Sequence, residues 1–218
     1  MIPIITNWES SAAALLYDLL NVPAKELENI IGDYLWYYRL KNLARLNDKF
    51  QKQKEKKRIM QENMRTVSPK LGIPLLDAAS LEEDDVIQDI WARLLLNAAY
   101  ANFTSEIRVA FIDIIKTLTP IDAQILRQIY NSVAPNDLLS DTSIEVHVNC
   151  AKAMNDLKID ALTCGASLDN LERCQLISRP APRWNETDED ENIIKNLTAL
   201  GILFIRACIG GSNDTSKV

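Results

Sequence analysis

The chain has 218 residues, 47% of them hydrophobic, which is enough to bury a core in one large domain or two small ones, so disorder is not the default expectation. A net charge of -6, only 6 Gly and 8 Pro, and runs of Leu, Ala, Ile, Asp, Glu and Lys predict a mostly α protein. Apolar runs such as Trp91-Ala92-Arg93-Leu94 are broken far short of the ~20 residues of a bilayer crossing, and Met1-Ile2-Pro3 opens no secretory pattern, so the expected location is cytoplasmic.

In chain order, Ser10 to Leu20 has amphipathic helical spacing and is ended by Asn21-Val22-Pro23, since proline disfavours helical geometry in the residue before it. A long helix is expected from Ala24 to about Asn63. Leu27, Ile30, Ile31, Tyr34, Leu35 and Tyr38 trace its apolar stripe, continued by Leu40, Leu43, Leu46 and Phe50. Gln51 to Arg58 contains no apolar residue, so this end of the helix is expected to project into solvent or toward a partner. Thr66 to Pro74 is read as a connector.

Ser80 with Glu83 matches a capping box, and Val86, Ile87, Ile90, Trp91, Leu94, Leu95 and Ala98 then recur at the spacing of one buried helix face. Phe103 to Glu106 marks a break before Ile107, Ala110, Phe111, Ile114 and Ile115. Thr119-Pro120-Ile121-Asp122 starts the next helix. Beyond the polar loop Asn131 to Asp141, residues 143 to 148 alternate as a short strand, Ala151 to Leu157 reads as a helix and Asp160 to Cys174 as another. Strands at Leu176 to Ser178 and Ile193 to Leu197 flank a loop from Pro180 to Asn192, and a helix from Thr198 to Ile209 closes the series. That order predicts a winged-helix-like module with a small β-hairpin. The expected layout is an N-terminal helical part at 1–65 with a long basic helix, a compact helical region at 66–132, the winged-helix-like module at 133–209 and a tail at 210–218.

Three blocks carry a family resemblance. The first runs from Leu75-Leu76 through Ala78-Ala79, Leu81-Glu82-Glu83-Asp84-Asp85, Gln88-Asp89, Trp91-Ala92, Leu94-Leu95 and Asn97-Ala98 to Phe111, Ile114, Lys116, Leu118, Pro120, Asp122-Ala123 and Ile125-Leu126. The second is Ser167-Leu168-Asp169-Asn170-Leu171-Glu172-Arg173 with Leu176-Ile177. The third is Leu197-Thr198-Ala199-Leu200-Gly201 with Phe204-Ile205-Arg206-Ala207-Cys208. In this order and spacing they resemble the abortive infection alpha (Abi-alpha) family of bacterial proteins, over roughly residues 25–209. The resemblance implies a role in phage resistance, an antiviral defence in which an infected cell stops growing before phage are released.

Catalytic grammar is missing from the sequence. It contains no nucleophile elbow, phosphate-cradling glycine loop, HExxH or paired CxxC, so the chain is read as no enzyme, with no cofactor, metal or small-molecule substrate expected. Cys150, Cys164, Cys174 and Cys208 lack metal-ligand spacing and read as small core residues, and the lone His147 has no histidine partner. Function is therefore sought in binding.

Residues 39–70 hold 11 cations and three acids, net +8, so the rest of the chain carries -14. The candidate interaction surface is Trp36, Tyr37, Arg39, Lys41, Arg45, Lys49, Lys52, Lys54, Lys56, Lys57 and Arg58. Protein partners or a homo-oligomer, nucleic-acid phosphates and an anionic surface such as the inner membrane all fit such a helix, and Trp36 and Tyr37 add aromatic bodies with polar tips. The competing reading is a solvated face whose cations pair with acids of the same chain, such as Glu82 to Asp85. Those acids, with Asp89, read as first-turn carboxylates answering the helix dipole rather than as a cation site. Glu186 to Glu191, five acids in six residues, would repel DNA at a wing tip.

Overall fold

The computed structural model describes residues 36–133, 144–178 and 192–210. The sequence elements at 10–20 and 24–35, most of the loops at 131–141 and 180–192, and the tail beyond Gly210 lie outside the described residues. The described chain is mostly helical and divides into two compact units, one running to Lys116 and the other from Thr117 on. This boundary falls inside the stretch that the sequence groups as 66–132.

The first unit contains α1 (Trp36–Lys56), α2 (Pro69–Ser80), α3 (Asp85–Ala99) and α4 (Ala110–Thr117). α3 is the core helix. Ile87, Ile90, Trp91, Leu94 and Leu95 are buried as their spacing predicts, and so are Gln88, Ala92, Leu96, Asn97, Ala98 and Ala99, so nearly the whole circumference is covered. α1 presents Leu40, Leu43, Leu46 and Phe50, all buried, to this unit's interior. Each such Leu or Phe stabilises the fold by roughly 2 kcal/mol on burial.

Four sequence expectations are corrected here. α1 ends at Lys56 rather than near Asn63, because Arg58 takes a left-handed φ of 53° and the chain turns to bury Ile59. The Gln51 to Arg58 end projects only in part: Gln51, Lys52, Glu55, Lys56 and Arg58 are exposed. Its Gln53, Lys54 and Lys57 are half-buried, their polar ends bonded within the same unit while their stems lie along apolar surface. The connector at Thr66 to Pro74 is largely helix: Pro69 sits at its first turn, and Pro74 removes only a single bond close to the start. Finally, Ser80 is no N-cap but the last residue of α2, its hydroxyl donating to the Asp77 carbonyl at 2.6 Å. The cap of α3 is Asp84, whose Oδ1 accepts from the Val86 and Ile87 amides at 2.8 and 3.0 Å.

The second unit contains α5 (Pro120–Ser132), β1 (Ile144–Asn149), α6 (Cys150–Leu157), α7 (Ala161–Arg173), β2 (Ile177–Ser178), β3 (Asn192–Leu197) and α8 (Ala199–Phe204), which runs on into a π turn at Ile205–Ile209. Thr119 and Asp122 form the start signal read from the sequence, a reciprocal capping box with Pro120 in the first turn. The sheet is antiparallel in the order β1-β3-β2. Its main ladder is β1 with β3, Ile144 opposite Leu197 through Asn149 opposite Asn192, whereas β2 adds only Ile177 and Ser178. The expected hairpin is thus the minor pairing. Val146, Val148, Lys195 and Leu197 are buried on one face.

Two polar ties lock this unit. Asn170 on α7 donates to Asp122 Oδ2 at 2.7 Å and to the Thr117 carbonyl at 3.0 Å, joining α7 to the start of α5. Thr198 caps α8 through the Gly201 amide at 2.9 Å. Gly201 is required by close approach: a Cβ there would land on the Leu176 carbonyl and crowd Leu197 Cδ1.

Candidate functional site

The cations of α1 and of the turn that follows it, Lys57 and Arg58, divide into two sets. Those on the side facing α2 and α3 are paired. Arg39 donates to Asp77 at 2.6 Å, Arg45 to Asp85 at 3.2 Å and to the Glu83 carbonyl at 3.0 Å, and Lys49 bridges Asp85 and Asp89, each at 2.9 Å. Farther along, Gln53 reaches the Asp89 carbonyl, and Lys57 donates to Asn97 Oδ1 at 3.1 Å. The pairs Arg45 with Asp85, Lys49 with Asp89 and Lys57 with Asn97 are each 40 residues apart. Both helices advance equally per residue, so a constant offset means that α1 and α3 run parallel with one polar seam between them.

The seam has a measurable electrostatic character. Hydrogen bonds from Lys49 and then Arg45 hold the Asp85 carboxyl below its ordinary value. For Lys49, partial burial pulls the ammonium pKa down, but the bonds to Asp85 and Asp89 outweigh it and leave it raised.

The other set faces outward. Lys41, Lys52, Lys56 and Arg58 are exposed and make no salt bridge among the described residues. Lys54 is half-buried and donates to Gln61. Trp36 and Tyr37 begin α1, and their side chains lie outside the described set. The structure therefore brings Arg39, Arg45, Lys49 and Lys57 to the seam and leaves Lys41, Lys52, Lys56 and Arg58 at the surface. Reading the sequence helix by helix missed Asp77 and Asn97 as partners; the recurring 40-residue offset to α3 polar groups was the available signal for Asn97, whereas Asp77, on α2 and 38 residues from Arg39, had none.

Of the thiols, Cys164 and Cys208 are buried, and Cys150 and Cys174 half-buried. Burial, with the Cys164 thiol adding to it against an opposing pull from Lys195, pushes Cys150 up to about 11, so it stays protonated at neutral pH. No group of three or more His, Cys, Asp or Glu suited to a metal occurs among the described residues. No helix among them is long and apolar enough to cross a membrane.

The abortive infection alpha model matches residues 39–208. The chain belongs to the abortive infection alpha family. Neither a curated protein nor a solved structure matches it. In this family member the matched stretch begins at the first seam cation, Arg39, and ends at buried Cys208, so it spans both compact units. The blocks that carry the resemblance have structural work to do: Trp91 fills the first core, Asp122 and Asn170 tie α5 to α7, and Gly201 lets α8 pass the Leu176 carbonyl.

Proposed function

We propose that this abortive infection alpha protein is a non-enzymatic phage-defence factor that acts by binding a macromolecule through the outward cations of α1 and of the turn after it. The observation that supports this reading is the division of those cations. A run serving only to hold its own fold would be spent on the seam, yet Lys41, Lys52, Lys56 and Arg58 stay exposed while four others are paired inside. In this reading α3 is the rigid platform that fixes α1 in place.

The second unit is proposed to be a winged-helix-like module used for protein contact or oligomer formation. What supports it is the order α5-β1-α6-α7-β2-β3 with β3 between the other two strands. The exposed side of α7 presents Ala161, Leu162, Ala166, Asp169 and Arg173, with one cation against one acid, a poor match to a phosphate backbone.

The test is phage plating on cells carrying the gene, with and without its neighbours. The quadruple variant Lys41→Glu, Lys52→Glu, Lys56→Glu, Arg58→Glu is expected to lose about tenfold or more of the protection while its thermal midpoint is kept, since exposed substitutions away from such features usually cost within ~0.5 kcal/mol. Full protection by this variant would sink the surface assignment, and full plating with no growth arrest by the unmutated gene would sink the defence reading. A nucleic-acid partner is the second reading, favoured by the exposed cations Lys52, Lys56 and Arg58 following closely at the end of α1 and in the turn after it. It requires retention of duplex or RNA that falls with salt.

A further inference from the structure

The outward face of α1 holds acids as well as cations. Lys41, Asp48, Lys52 and Glu55 are all exposed, and their intervals of 7, 4 and 3 residues place them within about 60° of one another around the helix, in a stripe about 21 Å long. Along it the sign alternates, cation, acid, cation, acid. The two acids are not explained by the fold. Asp84 caps α3, and Asp85 and Asp89 hold Lys49 in the seam, whereas Asp48 and Glu55 make no salt bridge or side-chain hydrogen bond among the described residues. Lys52 stands four residues after Asp48 and three before Glu55, within helical reach of both, and pairs with neither among the described residues. Glu55 also lies in the last turn of α1, where the helix dipole disfavours an acid.

On the reading that the outward cations of α1 bind a macromolecule, we propose that this macromolecule is a protein. It lays a helix along the stripe, with acid, base, acid and base at matching intervals. A nucleic-acid backbone or an anionic membrane presents one sign only, so it is attracted at Lys41 and Lys52 and repelled at Asp48 and Glu55. A partner helix has the same rise per residue as α1, so four charges of inverse sign on one of its faces meet all four positions together. Exposed pairs of this kind add little affinity each, but they set the register and reject partners of one sign. The unequal intervals fix which end of the partner helix lies at Lys41.

Phage plating on cells carrying charge variants of the full-length protein tests the assignment. Asp48→Lys/Glu55→Lys makes the stripe wholly cationic and is expected to lose about tenfold or more of the protection, with the thermal midpoint kept. Asp48→Gln/Glu55→Gln removes the acids without adding cations and is expected to lose about threefold or more. This second variant separates lost pairing from stray nucleic-acid binding or a folding fault in the first. Undiminished protection in the Gln pair, or a gain in either pair, while the quadruple variant still loses protection, would overturn the proposal and assign the face to a nucleic acid or an anionic membrane. Full protection in the quadruple variant would instead remove the surface assignment itself, and this partner with it.

Discussion

At the residue scale, the start of α3 separates two kinds of acidic side chain that look alike in the sequence. Glu82, Glu83, Asp84 and Asp85 are consecutive, yet only Asp84 sits where its carboxylate meets two orphan amides, and Glu82 Oε1 accepts from the Asp84 amide at 2.9 Å. Asp84→Ala is expected to cost about 1 kcal/mol of stability, and Glu83→Ala, at an exposed position, less than ~0.5 kcal/mol, in denaturant titrations of the two variants. Equal effects would mean that charge near the helix dipole, and not the cap itself, stabilises this end. The capping-box pattern at Ser80 and Glu83 misled the sequence reading because it presumes a loop before Ser80. Buried Ala78 and Ala79 continue α2 up to it instead. Thr119 and Asp122 were legible because Pro120, within the same motif, independently fixes the first turn.

At the element scale, α1 is held against α3 by both an apolar and a polar stripe, and the polar one responds to pH. Asp85 is depressed below its ordinary value of 3.8, so its contribution is fully present above that pH and is lost as pH falls through the lower folded value. Lys49 is raised above 10.5, so its contribution is present below that pH and is lost on going higher. The difference in denaturation midpoint between the unmutated protein and Asp85→Asn should therefore be constant near neutral pH and shrink below about pH 4. A difference that persists unchanged at pH 2 would show that Asp85 acts through packing or hydrogen bonding of the neutral acid. Asp85 is mostly exposed, so the effect near neutrality is small, within the ~0–1 kcal/mol of surface pairs, and is weakened by salt. The basic run announces itself in the sequence, but which of its members are spent on this seam does not, since that depends on the parallel alignment of two helices 40 residues apart.

At the scale of the whole molecule, each unit has its own core, and the family match covers both. Gly201 offers a way to address one of them. Gly201→Ala forces a methyl group against backbone that has no rotamer to yield, and overpacking of this kind typically costs ~1–3 kcal/mol. Hydrogen exchange should report faster opening of α7, α8 and the sheet in this variant, with α3 unchanged; equal loosening of α3 would show that the two units unfold as one. The helices of the second unit are legible in the sequence from period changes, and the structure adds that Asn149, Asp160 and Thr198 each cap the helix they precede. The pairing of β1 with β3 was hidden, since strands separated by two helices leave no local sign of their register.

The sequence by itself determined the helical class, most element boundaries and the family. Those follow from local chemistry: apolar periodicity, capping side chains, and the order of blocks such as Trp91 to Ala98, Asp122 to Leu126 and Ser167 to Arg173. Only the tertiary structure decided which cations of α1 bond inward and which face out, that Asp84 caps α3, and that β3 lies between β1 and β2. These are properties of surfaces brought together from distant parts of the chain. A lysine has the same intrinsic chemistry at Lys49 and at Lys52, and only packing against Asp85 and Asp89 makes one a structural tie and leaves the other available for contact.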